Sequence, residues 1–389
     1  MDNIYSAKKK ALIYKFNLLA YSETFIYEQV SNLKSWHGVL IGNNLVHNGL
    51  SLNGVEYRII GSKNKTLEKI FRRINFLLNR ISKKNIKELK KENADLIHIH
   101  FATEAVLAWP MLKQLNLPVL VTLHGYDINT SRHWWENGYG GKTMKSYPSK
   151  LLAIAKEENI KFLAVSNAIK EEAIKYGLPE DKIEVSYIGV DTDKFKPSRK
   201  LISERNKVLF VGRLVEKKGC RYLLEAFEKI QHNHLETELI IVGDGPLEEE
   251  LKSYAQEKKL RATFLGALPS EKIKSLMDET RIFCLPSITA VNGDAEGLGI
   301  VILEAQACGV PVITSAKGGA TEGIKNGVTG FSHAEKDVSS IKEALDKLLS
   351  NNILANDFGI AARQFTVEHM DIKKCTKKLE EIYEKHTYK

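Results

Sequence analysis

The 389-residue chain is predicted to be an α/β protein of two Rossmann-like domains, and three observations predict it. Short runs of β-branched and aliphatic residues alternate with helical patterns throughout, as parallel sheets assembled from βαβ units require. The strand series restarts after a polar, proline-containing stretch near the middle, DTDKFKP at 191–197, which suits a linker. The length itself accommodates two domains, each large enough to bury a core.

Taken in order, the first-half strands are expected at 11–16, 38–41, 57–60, 96–100, 119–123, 162–165 and 183–186. The second series runs 207–211, 238–242, 262–265, 282–285 and 310–314. This sets an N-terminal domain at 1–195, a C-terminal domain at 196–370, and a Lys/Glu-rich helix at 371–389 that could pack back on the N-terminal domain. Residues 66–91 place Leu67, Ile70, Phe71, Ile74, Leu77, Leu78 and Ile81 at helical spacing, flanked by Arg72, Arg73, Arg80, Lys83 and Lys84. The plain reading is a helix with its apolar stripe on the sheet, whose basic rim, Arg72 and Arg73 included, could touch anionic lipid headgroups.

Composition narrows the class. Hydrophobic residues at 43% and charged residues at 27%, with 26 Gly and 9 Pro, exclude a fibrous or disordered chain. No apolar stretch approaches the roughly 18–20 residues that span a bilayer. Lys8, Lys9 and Lys10 precede an apolar segment, but Lys15 interrupts it and no small-residue cleavage site follows, so a cytoplasmic protein is expected, peripheral at most on the inner membrane face. Cys220, Cys284, Cys308 and Cys375 form no CxxC pair and are expected as reduced, buried thiols. Of the +9 net charge, +8 belongs to residues 1–195, and the span 58–91 holds twelve basic against two acidic residues. That asymmetry points to an anionic partner.

The most informative stretch is DAEGLGIVILEAQACGVPVITSAKGGATEGIKNGVTGF at 294–331. Gly297, Leu298 and Gly299 form a turn feeding a helix expected to start near Ile300. Such a turn presents free N–H groups and the positive end of the helix dipole, an anion site suited to phosphate. Glu296 lies in the loop and Glu304 one turn into the helix. A phosphate would repel both, so each is better suited to sugar or ribose hydroxyls. Upstream, the strand ending at Gly212 is followed by Arg213 and Lys218, cations well placed at a strand's carboxyl end to neutralise a diphosphate. IIVGDGP at 240–246 is a second strand ending in a tight turn.

The succession FVGRLVEKKG, IIVGDGPLEEEL, FLG, LPS, EGLGIVILEAQACGVPVITS and GGATEGIKNGVTGF resembles the C-terminal domain of retaining GT-B glycosyltransferases of glycosyltransferase family 4. The resemblance continues through SETFIYEQV (22–30), HIHF (98–101), TLHGYD (122–127), AVSNAIKE (164–171) and YIGVDTDKF (187–195), nearly the whole chain. SETF, HIHF and SITAVNGDAEG look most like the bacterial exopolysaccharide branch, akin to colanic acid glycosyltransferases. The resemblance implies a GT-B fold, two Rossmann-like domains facing across a cleft and closing over a nucleoside diphosphate sugar. It implies that Gly212, Arg213 and Lys218 serve the diphosphate, that amides around Gly299, Ile300 and Val301 support the distal phosphate, and that Glu304 binds ribose. Glu296 would sit beside the donor sugar and His124 near its anomeric carbon, as the catalytic pair.

No metal or other cofactor is expected, because two cations and a helix N-terminus can stabilise a departing diphosphate. Asp191 and Asp193 spell DxD but fall in the linker. Retention by double displacement would need a carboxylate beneath the anomeric carbon, for which Glu296 is the candidate. The resemblance instead favours a front-face path, in which the leaving phosphate takes the acceptor proton. The acceptor is expected to be a lipid-linked or free oligosaccharide, and no nucleic-acid partner is expected. Ser22, Thr24 and His100 join Arg72 and Arg73 as acceptor- or membrane-facing candidates, since Tyr21–Thr24 replaces the glycine pair common after the first strand in relatives. His98 and His100 share a strand face at a spacing a metal could use, but no third ligand lies nearby. A nucleotide-sugar epimerase or hydrolase on the same scaffold, or a non-catalytic polyanion- or membrane-binding protein, are the rival readings.

Overall fold

A computed structural model describes residues 8–21, 23–47, 49–61 and 82–387, so Ser22, Arg72, Arg73 and most of the expected 66–91 helix lie outside the described residues. The chain divides into two compact units, one reaching to Ile188 and rejoined by the segment from Ile372, the other Gly189–Asp371.

In the first unit, strands β1 (Lys9–Tyr14), β2 (Asn17–Leu18), β3 (Trp36–Gly42), β4 (Asn44–Leu45), β5 (Glu56–Ile59), β6 (Leu96–His100), β7 (Val119–Leu123), β8 (Ile160–Ala164) and β9 (Ile183–Val185) occur in that order. Seven form a sheet in the order β5-β3-β1-β6-β7-β8-β9, while β2 pairs with β4. Every pairing is parallel. The central strands LIHIH and VLVTL are buried at every position, as strands covered on both faces must be.

The second unit carries β10 (Lys207–Val211), β11 (Glu238–Val242), β12 (Ala262–Phe264), β13 (Thr280–Leu285), β14 (Val312–Ser315) and β15 (Gly330–His333), in the order β12-β11-β10-β13-β14-β15. Its pairings are also all parallel. In both sheets the order reverses once, between β1 and β6 and between β10 and β13. Ligands of doubly wound sheets bind outside the strands' carboxyl ends at that reversal. Topology alone therefore marks the loops after β1 and β6 in one unit, and after β10 and β13 in the other.

The helix Ile372–Thr387 completes the first unit's core, with Leu379 and Tyr383 packed among Ala11, Ile13, Leu40 and Leu120. Glu380 accepts three backbone N–H bonds, from Lys34, Ser35 and Trp36 at 2.7, 2.7 and 3.0 Å. These charge-assisted bonds cap an otherwise unsatisfied turn.

The expected linker at 191–197 is instead fastened to the second unit. Phe195 is fully buried, and the Arg363 guanidinium donates to the carbonyls of Thr192, Phe195 and Ala307 at 2.9, 2.8 and 3.0 Å. The boundaries accordingly move from 195/196 to 188/189, and the second unit runs to 371. Strand β15, GFSH, was absent from the expected series because it is short and half polar. All four cysteines are free and buried. No helix among the described residues is long and apolar enough to cross a membrane.

Candidate active site

In the first unit the loops after β6 and β7 are built around one carboxylate. Asp127 is fully buried and accepts N–H bonds from Ala102 (2.8 Å), His124 (3.1 Å) and Gly125 (3.0 Å). Burial pushes its pKa up, opposed by those three donors. The Tyr147 hydroxyl donates to the Asp127 carbonyl at 2.6 Å, locking the turn from below. Phe101, between β6 and the helix Ala102–Leu112, holds φ +74°, a region costly for a residue with a Cβ. That backbone lays the Phe101 ring 4.3 Å from the His124 ring, with Phe25 4.9 Å away.

Three histidines line up behind this loop. His98 is hydrogen-bonded through Nδ1 to the Tyr383 hydroxyl and through Nε2 to Thr122 Oγ1, both at 2.6 Å. Both nitrogens are thus engaged by protein groups. Its ring lies 4.5 Å from that of His100, whose Nδ1 is 3.0 Å from His124 Nε2. Burial lowers the pKa of His98 and His124 to about 3, and pushes His100 well below its ordinary value. All three are neutral imidazoles at physiological pH. His100 is completely buried and faces neither acceptor nor membrane, correcting that expectation. Thr24 is half-buried at the start of the helix Thr24–Ser31. Lys15, just past β1, is buried between Glu23 (3.1 Å) and Glu104 (3.3 Å). Burial lowers its pKa, but these two carboxylates outweigh that and raise it.

In the second unit the charges are paired. Lys218 forms an ion pair with Glu296, and its neighbour Lys217 pairs with Asp294 at 3.0 Å. Burial raises the Glu296 pKa, yet the two ammonium groups overcome it and hold the carboxyl below its ordinary value. The segment carrying Asp294 and Glu296 is stitched to the turn after β10: Ile288 N–H donates to the Lys217 carbonyl (2.8 Å) and Val291 N–H to Glu216 Oε2 (3.2 Å). The Glu296 carbonyl accepts from Gly319 N–H at 3.2 Å.

Glycine is required where these loops touch. A Cβ on Gly219 would lie 1.9 Å from the Pro286 carbonyl oxygen, and one on Gly243 at 1.9 Å from that of Gly212. Gly299 takes φ +75° and precedes the helix Ile300–Ala307. The first N–H groups of a helix lack intrahelical acceptors, so those of Ile300 and Val301 are left to the loop side. Glu304 is half-buried on that helix, and Arg213 is exposed beside Gly212 with no ion pair among the described residues. Gly212, Arg213, Lys218, Glu296 and Gly299 therefore all belong to the loops that the sheet reversal marks. What pattern could not supply is the pairing of KK at 217–218 with DAE at 294–296, since these residues stand 77 and 78 positions apart. Asp127 was visible only as a letter of TLHGYD, three residues past His124.

Comparison with known proteins fits this arrangement. Residues 191–365 match the family model for glycosyl transferases group 1, and residues 51–194 that for Glycosyltransferase Family 4. The amylovoran biosynthesis glycosyltransferase AmsK of Erwinia amylovora is 32% identical over 297 residues, 75% of this chain and 70% of that protein. The chain belongs to the glycosyltransferases. A protein of Escherichia coli K12 named for colanic acid biosynthesis, WcaL, is 27% identical over 65% of this chain and 61% of its own length. An E. coli UDP-Gal:α-D-GlcNAc-diphosphoundecaprenol α-1,3-galactosyltransferase is 29% identical over 76% and 77%. Among solved structures, Anabaena HepE in complex with UDP and glucose superposes with a TM-score of 0.77 at 19% identity, over 97% of this chain and 99% of that one. The fold of this glycosyltransferase is GT-B.

Proposed function

We propose that this glycosyltransferase is a retaining, metal-independent enzyme that moves a sugar from a nucleoside diphosphate sugar to a lipid-linked saccharide in bacterial surface polysaccharide assembly. The observation that carries the reading is the cationic, glycine-lined loop set of the second unit: Arg213 without an ion pair among the described residues, Lys218 held by Glu296, and a helix N-terminus beginning at Ile300. A diphosphate arriving there meets two cations and free amides, which stabilise it more as its charge grows on departure. Lys218 then exchanges one anionic partner for another, releasing Glu296 toward the sugar hydroxyls. Glu304 serves the ribose.

Glu296 in this reading is a positioning carboxylate. Its charge is engaged by Lys218 and shared with Lys217, which weakens it as a nucleophile and favours the front-face path over double displacement. His124, neutral and half-buried, contributes a hydrogen bond near the reacting carbon and no proton abstraction. The acceptor falls to the first unit, whose half of the sequence holds the basic surplus. The relatives named for amylovoran and colanic acid, and the one acting on a diphosphoundecaprenol acceptor, support a lipid-linked oligosaccharide there.

The test is a thermal-shift panel of UDP, GDP and ADP with their sugars in EDTA, repeated for Arg213→Ala and Glu304→Ala. A ligand at 100 times its Kd stabilises by about 2.7 kcal/mol, well within detection. One base series stabilising the wild type and not the variants supports the reading. Binding that appears only with added divalent metal overturns the metal-independent mechanism.

A further inference from the structure

His100 is fully buried against His124. Its Nδ1 lies 3.0 Å from His124 Nε2, and its own Nε2 is buried with no hydrogen-bond partner among the described residues. His124 is only half-buried, and its Nδ1 makes no hydrogen bond among the described residues. Two neutral imidazoles sharing one hydrogen bond have two arrangements. In one, His100 Nδ1–H donates to His124 Nε2, leaving a bare lone pair at the buried His100 Nε2. In the other, His124 donates, and His100 Nε2–H becomes a buried donor with nothing to receive it.

The first arrangement is favoured on two counts. An orphaned buried N–H is rarer and costlier than an under-satisfied acceptor. The Lys15 ammonium also acts electrostatically on His100 and disfavours additional positive charge there, so it prefers a lone pair to an N–H. His98 cannot reverse the choice, because both its nitrogens are bonded to Tyr383 and Thr122. We infer that His100 is a positioning residue that fixes His124 as the Nδ1–H tautomer, so that His124 presents a neutral hydrogen-bond donor, not a base, to an oxygen of the substrate. The kind of substrate oxygen rests on the glycosyl-transfer reading; the tautomer does not.

The experiment is ¹⁵N NMR of the histidine side chains in the whole protein, with His124 assigned by loss of its signals in His124→Gln. The expected spectrum shows His124 protonated at Nδ1 and bare at Nε2. His100→Phe keeps the ring volume and removes the donor: His124 should then populate both tautomers, and kcat should fall about tenfold, the worth of one hydrogen bond, with donor KM unchanged. His100→Asn, whose amide nitrogen takes the place of Nδ1, should recover the single tautomer and kcat relative to His100→Phe. A wild-type His124 protonated at Nε2, or a His124 tautomer unmoved in His100→Phe, overturns the proposal. Because the spectrum needs no substrate, failure of the transferase reading and failure of this one are told apart.

Discussion

Both units place their candidate residues at the carboxyl ends of parallel strands, but with different electrostatics. Around β6 and β7, beside the buried Asp127 carboxyl and the Lys15 ammonium, three histidines are desolvated and neutral, their burial denying them a proton. After β10 and β13 the side chains are charged and paired, Lys218 with Glu296 and Lys217 with Asp294. The difference teaches that one fold supplies the location, while side-chain burial decides whether that location exerts a fixed hydrogen bond or an exchangeable charge. A neutral donor suits an uncharged sugar, and exchangeable cations suit a diphosphate.

Acid should separate the units most sharply. The unfolded chain protonates its histidines near their ordinary 6.5, while folded His98 and His124 remain neutral to about 3. The unfolded state therefore binds more protons between those values, and stability falls as pH drops through 6.5, by about 1.4 kcal/mol per histidine per pH unit. Glu296 behaves differently: its depressed pKa contributes stability above the ordinary carboxyl value of 4.5, lost only as pH falls below that. All four tryptophans, Trp36, Trp109, Trp134 and Trp135, belong to the first unit. Tryptophan fluorescence should thus report weakening between pH 6.5 and 5 that hydrogen exchange in β10–β14 shares to a smaller extent, since in that unit only His333 among the described histidines has its pKa lowered by burial. Equal acid sensitivity of both units would erase the distinction.

Next in size is the second unit's ion pair. Lys218→Met leaves a mostly buried carboxylate without its partner and should cost about 3 kcal/mol in urea unfolding, with Lys218→Met/Glu296→Gln recovering most of it. A single variant as stable as wild type would mean the charges are solvated after all. Tyr383→Phe strips His98 of one partner and should cost about 1–2 kcal/mol, visible in the tryptophan-monitored transition of the first unit. Smallest in stability is Arg213→Ala, exposed and without an ion pair among the described residues, which should lie within about 0.5 kcal/mol of wild type while losing nucleotide binding.

Much of the fold was legible because buried parallel strands announce themselves as apolar runs. Twelve of the sheet strands were expected within a residue or two, and GFSH escaped because half its letters are polar. The helix at 372–387 was legible too, but not its seat, since Glu380 binds residues some 345 positions away. In the candidate site, residues such as Lys218, Glu296 and His124 stood out by their type and position in the sequence, whereas their partners depended on tertiary contact. His100 shows the limit best: a histidine in a motif reads as functional surface, and only burial reveals that it works through a neighbour.

The seat of that last helix also sets an order of events at the ribosome. Tyr383 is translated 285 residues after the His98 it supports, a delay of roughly 15–60 s at ordinary synthesis rates. The second unit has its entire sequence once Asp371 is made, twelve residues before Tyr383, when the first unit still lacks its closing helix. The earlier-made half of the protein is therefore the later one to mature, and a message cut short between Asp371 and Tyr383 yields a chain whose second unit can fold while the histidine column of the first has no foundation.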